Sequence, residues 1–306
     1  QGVSSAASDV YKRQPKECGV LSRSRRSRLP YADDSFLSAR STIGSVTVVD
    51  LSPPPSRARL WWEIAIVLAL GLGQSAVYAI VQLAYRLTDE TPLADQTATL
   101  NPSRSDREIF DLIYQVLSIG FSLVPVLLVC FLLWQSSRPH LSRLGLDGTR
   151  VGADVGRGIL LVAAIGIPGL GLYLAGRALG LFVAVNPAGL DSHWWTIPVL
   201  LLAAARASLQ EEFVVLGYLF ARLRQLGWGP WAIILTTSVL RASYHLYQGP
   251  GAFIGNLAMG LLFGWLFQRS GRLMPFLVAH FLIDATVFVG YPWAAATWPT
   301  LFGLPG

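Results

Sequence analysis

Glu211 and Glu212 stand side by side in an apolar stretch, and His245, His280 and Asp284 follow in two further apolar stretches. Ionisable side chains at membrane depth cost several kcal/mol each, so such a group reads as a functional site. Adjacent helical residues point about 100° apart, so the two glutamates cannot do the same job. One can face a polar cavity while the other holds a neighbouring group. A carboxylate in an apolar wall suits a general base. The second element runs Tyr244, His245, Leu246, Tyr247, Gln248, Gly249. The third places His280 and Asp284 four residues apart, on one helix face. There the carboxylate could orient the imidazole, or both could bind one water or metal.

Two chemistries fit these groups, and the sequence leaves both open. Glu211, His245 and His280 are candidate ligands of a divalent metal such as zinc, with a position left for water. Without metal, Glu211 and His245 would activate the water while His280 and Asp284 held the oxyanion.

The elements that must position these residues are membrane helices. A spanning helix needs roughly 20 mostly apolar residues. The candidates are 61–85, 109–134, 158–185, 194–220, 231–248, 251–268 and 273–291, with a shorter apolar piece at 293–304. The expected fold is therefore all-α and polytopic, with about seven or eight transmembrane helices. Trp61, Trp62, Trp134, Trp194 and Trp195 stand at segment ends, where aromatic belts form. Pro125 and Pro168 are expected to mark kinks, and Gly217, Gly255, Gly260 and Gly264 to serve close helix packing.

Arginines concentrate in every second loop: Arg57 and Arg59, then Arg138 to Arg157, then Arg222 and Arg224, then Arg269 and Arg272. The positive-inside rule puts the N-terminus in the cytoplasm. At about 1.5 Å rise per residue, Glu211 then lies roughly 25 Å from the outer end of its helix, and His280 about 10 Å from its cytoplasmic end. His245 falls about 20 Å from the cytoplasmic end, too far for contact. Helix tilt, a fourth helix continuing to Gln225, or a broken fifth helix would close that gap.

The bulk composition agrees. The 306-residue chain is 53% hydrophobic and 14% charged, where a soluble domain carries about 25% charged residues. The basic residues flank apolar segments, so the net charge of +6 points to a membrane and not to nucleic acid. Cys18 and Cys130 cannot build a disulfide framework or a Cys-based zinc site.

The first residues are read apart. Residues 4–14, SSAASDVYKRQ, resemble a translated sequencing adapter, so 1–14 are expected to be an assembly artefact with the natural start downstream, Val46 being one candidate. Sequencing the genomic locus tests this. Residues 15–59, with RSRRSR at 23–28, read as a polar disordered leader. Beyond it, 60–185 would form N-terminal transmembrane helices and 186–306 a C-terminal core carrying all three motifs.

Across about residues 194–291 the chain resembles the CPBP family of intramembrane proteases, also called the CAAX-protease and bacteriocin-processing or Abi family. That family's motifs are Glu-Glu-x-x-x-Arg, an element ending in His, and His-x-x-x-Asn/Asp. The resemblance implies a CAAX-protease-like helical core in which Glu211 is the catalytic base, supported by Glu212. It implies that His245 shares the water or metal, and that His280 and Asp284 complete the site. One position departs: Leu216 stands where the family has Arg. Arg206, Arg222 or Arg241 would be the replacement, and Arg241, four residues before His245, is preferred.

The expected activity is hydrolysis of a peptide bond of a membrane-associated protein or peptide, by a CPBP-type protease of a bacterial cytoplasmic membrane. A catalytically weak scaffold or immunity protein on the same fold is the alternative. A proton-coupled transporter ranks last, because it predicts paired half-sites in two repeats and none is found.

Overall fold

The computed structural model describes residues 55–134 and 140–297. The adapter-like segment 1–14, the leader up to residue 54 with Val46 and Cys18, Arg138, and residues 298–304 lie outside the described residues. The leader expected to reach residue 59 ends earlier, because helix α1 (Arg57–Ala69) is capped by Ser56, whose hydroxyl accepts from the Arg59 amide at 3.2 Å.

Helix α2 (Leu72–Leu87) follows at a bend of 57°. The single straight span expected over 61–85 is thus two helices. The break falls at Gly71 (φ −164°, ψ −99°), where a Cβ would lie 2.8 Å from Gln210 Nε2 of the neighbouring α6. α3 (Glu108–Ser122) and α4 (Val124–Leu132) together make one apolar run, restarted at Val124 with Pro125 in its first turn. α5 (Val151–Ala178) begins a turn or two before the expected 158 and ends by Gly180, whose φ of +71° favours glycine. Pro168 sits inside α5 without ending it.

α6 (Thr196–Glu212) passes into a π-helical segment (Phe213–Leu219) and then α7 (Phe220–Gln225). α8 (Pro230–Ser243) stops short of the expected 248, giving way to a 3-10 turn (Leu246–Gln248). α9 (Pro250–Ser270), α10 (Met274–Ala285), a second π segment (Thr286–Gly290) and α11 (Tyr291–Thr297) complete the chain. A short parallel pairing of β1 (Thr97–Thr99) with β2 (Ala184–Asn186) ties two loops together.

The protein is an all-α polytopic membrane protein. Among the described residues four helical stretches are long and apolar enough to span: Glu108–Leu132, Val151–Ala178, Pro250–Ser270 and Met274–Ala294, or five if the bent α1–α2 pair is one span. That is fewer than the seven or eight expected. α6 carries Arg206, Glu211 and Glu212, and α8 has 14 residues. At that length α8 covers about 21 Å, short of the ~30 Å hydrocarbon layer.

Glycines let the helices that hold the polar residues approach. A Cβ on Gly260 of α9 would lie 2.9 Å from Ser238 Cα of α8, and one on Gly158 of α5 would lie 2.7 Å from Val278 Cβ of α10. The Ser208 hydroxyl of α6 donates to the Leu277 carbonyl of α10 at 2.8 Å. On the loop side, Arg272 bonds both Asp147 (2.9 Å) and Asp154 (2.8 Å), which fastens the start of α10 to the start of α5.

Candidate active site

The structure brings the five ionisable residues singled out above to one place. Glu211 and Glu212 end α6, His245 follows the end of α8, and His280 and Asp284 lie on α10. The misfit of His245 is resolved by two of the three expected devices. The fourth helix does continue to Gln225, and the fifth breaks after Ser243, so that His245 Nε2 comes 4.0 Å from Glu211 Oε2.

The two glutamates part as their angular separation requires. Glu211 turns to the end of α8: the Tyr244 hydroxyl donates to its Oε2 at 2.6 Å, and Arg241 Nη1 lies 3.9 Å from the same oxygen. Glu212 is fully buried and turns to α10. Its Oε1 accepts from Arg241 Nη2 at 2.5 Å and meets His280 Nδ1 at 2.7 Å. His280 Nε2 is 3.5 Å from Asp284 Oδ2. The π segment starts at Phe213, the residue after this pair; π-helical insertions frequently occur at functional sites.

Burial divides the cluster. Glu212, Arg241 and His280 are 0%, 0% and 4% exposed, whereas the His245 and Asp284 side chains keep 20% and 21% of their surface. The cluster is therefore least covered on the side of His245 and Asp284. Both His245 ring nitrogens are buried without a hydrogen-bond partner among the described residues, so they are available to a ligand.

The three arginines weighed for the missing motif position go to different places. Arg222 donates from Nε to Glu63 at 2.6 Å and from Nη2 to the Leu132 carbonyl at 2.8 Å. Arg206 donates to Gln210 at 3.3 Å. Arg241 reaches the glutamate pair. Leu216 itself is 1% exposed within the main apolar cluster.

The proposed metal set of Glu211, His245 and His280 does not converge in this arrangement. His280 has Glu212 at one nitrogen and Asp284 at the other, while Glu211 and His245 face each other across α6 and α8. No group of three or more His, Cys, Asp or Glu side chains placed to hold a metal occurs among the described residues. The side chains as they stand do not fit a metal.

Sequence reading gave Tyr244 no such place. The only hint was its position next to His245, and its bond to Glu211 depends on the turn after Ser243.

No curated protein and no solved structure matches the chain. A family model does, over residues 193–286, a stretch that holds every residue of the three motifs from Glu211 to Asp284. Over those residues the chain is similar to the type II CAAX prenyl endopeptidase Rce1-like family.

Proposed function

We propose that the protein is an intramembrane endopeptidase in which Glu211 deprotonates a water and His245 orients it. One observation carries this reading. Glu211 Oε2 and His245 Nε2 lie 4.0 Å apart, and neither His245 ring nitrogen has a hydrogen-bond partner among the described residues. A water between two such groups meets an acceptor on one side and an imidazole on the other. The Rce1-like match, to a protease family, supports the class of reaction.

In the proposed reaction the water oxygen attacks the peptide carbonyl as its proton passes to Glu211. His280, with Asp284 beside it, steadies the oxyanion of the tetrahedral intermediate. When the C–N bond breaks, Glu211 returns the proton to the leaving amine. Both glutamates lie near Arg241, but only Glu211 meets Tyr244 and His245 and only Glu212 meets His280, so each group keeps one job.

The substrate would be a membrane-associated protein or peptide. We place the N-terminus in the cytoplasm of a bacterial cell. Arg222 and Arg224 at the end of α7 and Arg269 at the end of α9 support this reading through the positive-inside rule. Residues 60–185 would brace the core formed by 186–306. The alternative, a catalytically weak scaffold, is favoured by Leu216 alone.

The test is cleavage of a fluorogenic peptide library by purified protein in detergent, beside Glu211→Ala and His245→Ala, each with and without chelator. Cleavage lost in both folded variants is the expected result. Cleavage that survives Glu211→Ala would overturn the assignment. A chelator effect on the wild type would reopen the metal mechanism.

A further inference from the structure

We infer that Arg241, acting through Glu212, fixes the ring orientation and the Nδ1 proton of His280, and so supplies from α8 the guanidinium that residue 216 does not carry. Its consequence for turnover rests on the peptidase reading above; its consequence for His280 does not.

Three observations carry the inference. First, Arg241 and Glu212 are both fully buried and meet at 2.5 Å, so neither can trade its partner for water. Second, one oxygen, Glu212 Oε1, serves both Arg241 Nη2 and His280 Nδ1. An ionised carboxylate oxygen only accepts, so the proton on that bond belongs to His280 Nδ1. The other ring nitrogen points towards Asp284; held between two carboxylates, the ring can carry a proton on both nitrogens, and it is the Nε2 proton that an oxyanion would accept. Third, Arg241 is on α8, only four residues before His245, so one helix end carries both the water-orienting imidazole and the cation that holds Glu212.

Without Arg241, Glu212 would lose the partner that holds its Oε1 in place. The carboxylate could then turn away from His280 Nδ1, and the ring would lose its fixed orientation. The hydrogen bond at one imidazole nitrogen decides what the other offers. Arg241 thus touches no reactant and is a positioning residue.

The chain has four histidines, so selective 15N labelling of the imidazoles gives a spectrum that single His→Gln variants assign. In wild-type protein His280 should show a protonated, hydrogen-bonded Nδ1. Arg241→Gln and Glu212→Gln should each change the His280 ring signals and leave those of His140 and His193 in place. Each should lower kcat by about 10- to 100-fold, the usual effect of removing an orienting partner, with KM little changed. The double variant should be no worse than the worse single one, and Arg241→Lys should regain part of the rate. Unchanged His280 signals in a folded Arg241→Gln protein, or losses that multiply in the double variant, would overturn the inference. If Arg241→Gln does not fold, the isosteric Glu212→Gln carries the same readings. If wild-type protein cleaves no peptide, the hydrolytic reading fails, while the ring signals still decide whether Arg241 and Glu212 govern His280.

Discussion

The Tyr244 hydroxyl lies 2.6 Å from Glu211 Oε2, joining the residue before His245 to the carboxylate that His245 faces. Tyr244→Phe should therefore act on both stability and rate. A hydrogen bond to a charged acceptor contributes about 1.5–3 kcal/mol, so the melting temperature in detergent should fall. kcat should fall more than KM changes, because Glu211 loses the donor that aims it. Unaltered melting and turnover would show that this contact is incidental.

Leu216→Arg looks like a repair of the motif, yet it should harm the wild-type protein. Leu216 is 1% exposed among apolar neighbours, and Glu212 already has Arg241. A second guanidinium there would be a charge buried among apolar neighbours, with only the already ion-paired Glu212 near enough in sequence to meet it, so burying it should cost stability. The same substitution should be better tolerated in an Arg241→Ala background, where Glu212 lacks a cation. Thermal unfolding of the two single variants and the double variant measures the difference.

The close crossing of α8 and α9 gives a third prediction. Gly260→Ala puts a Cβ 2.9 Å from Ser238 Cα, on backbone that cannot swing aside. Overpacking of this kind costs about 1–3 kcal/mol. It should also cut activity, because α8 delivers Arg241, Tyr244 and His245. At Gly255 the added Cβ meets only the tip of Leu172, at 3.2 Å, so Gly255→Ala should cost less on both counts. Equal effects at the two sites would speak against this packing.

Outside the membrane, Asp147 gives a pH prediction. Its hydrogen bonds from Arg272, and then from the Thr149 amide and hydroxyl, hold its carboxyl well below the usual carboxylate range. A depressed folded value means that the contribution is fully present above the unfolded pKa of about 3.9. It is lost as pH falls from there towards the folded value. Asp147→Asn should therefore lower the melting temperature at neutral pH, and the gap to wild type should close in acid. A gap that is constant from pH 7 to pH 3 would argue against an ionic origin.

Helical class and the identity of the polar residues were legible in the sequence because both are one-dimensional signals. Long apolar runs can bury their backbone in lipid only as helices, and five ionisable residues stand out against them. The order Glu211–Glu212, His245, His280–Asp284 also sufficed to point to the family that the match over 193–286 names. The angular separation of adjacent glutamates likewise foretold that they would not do the same job: Tyr244 bonds Glu211 and His280 meets Glu212, although Arg241 lies near both.

What the sequence left undetermined is set by contacts between distant segments. The bend falls at Gly71, where Gln210, 139 positions further along the chain, comes within 2.8 Å of where a Cβ would stand. The stop after Ser243, read beforehand as five more helical residues, is what puts Tyr244 and His245 against Glu211. The choice among Arg206, Arg222 and Arg241 turned on which helices pack: Glu63 and the end of α4 take Arg222, Gln210 takes Arg206, and Arg241 meets Glu212. A buried charge is stable only where a partner lies within a few ångströms. Composition and spacing name the charges, but only the packing of α6, α8 and α10 brings each to its partner.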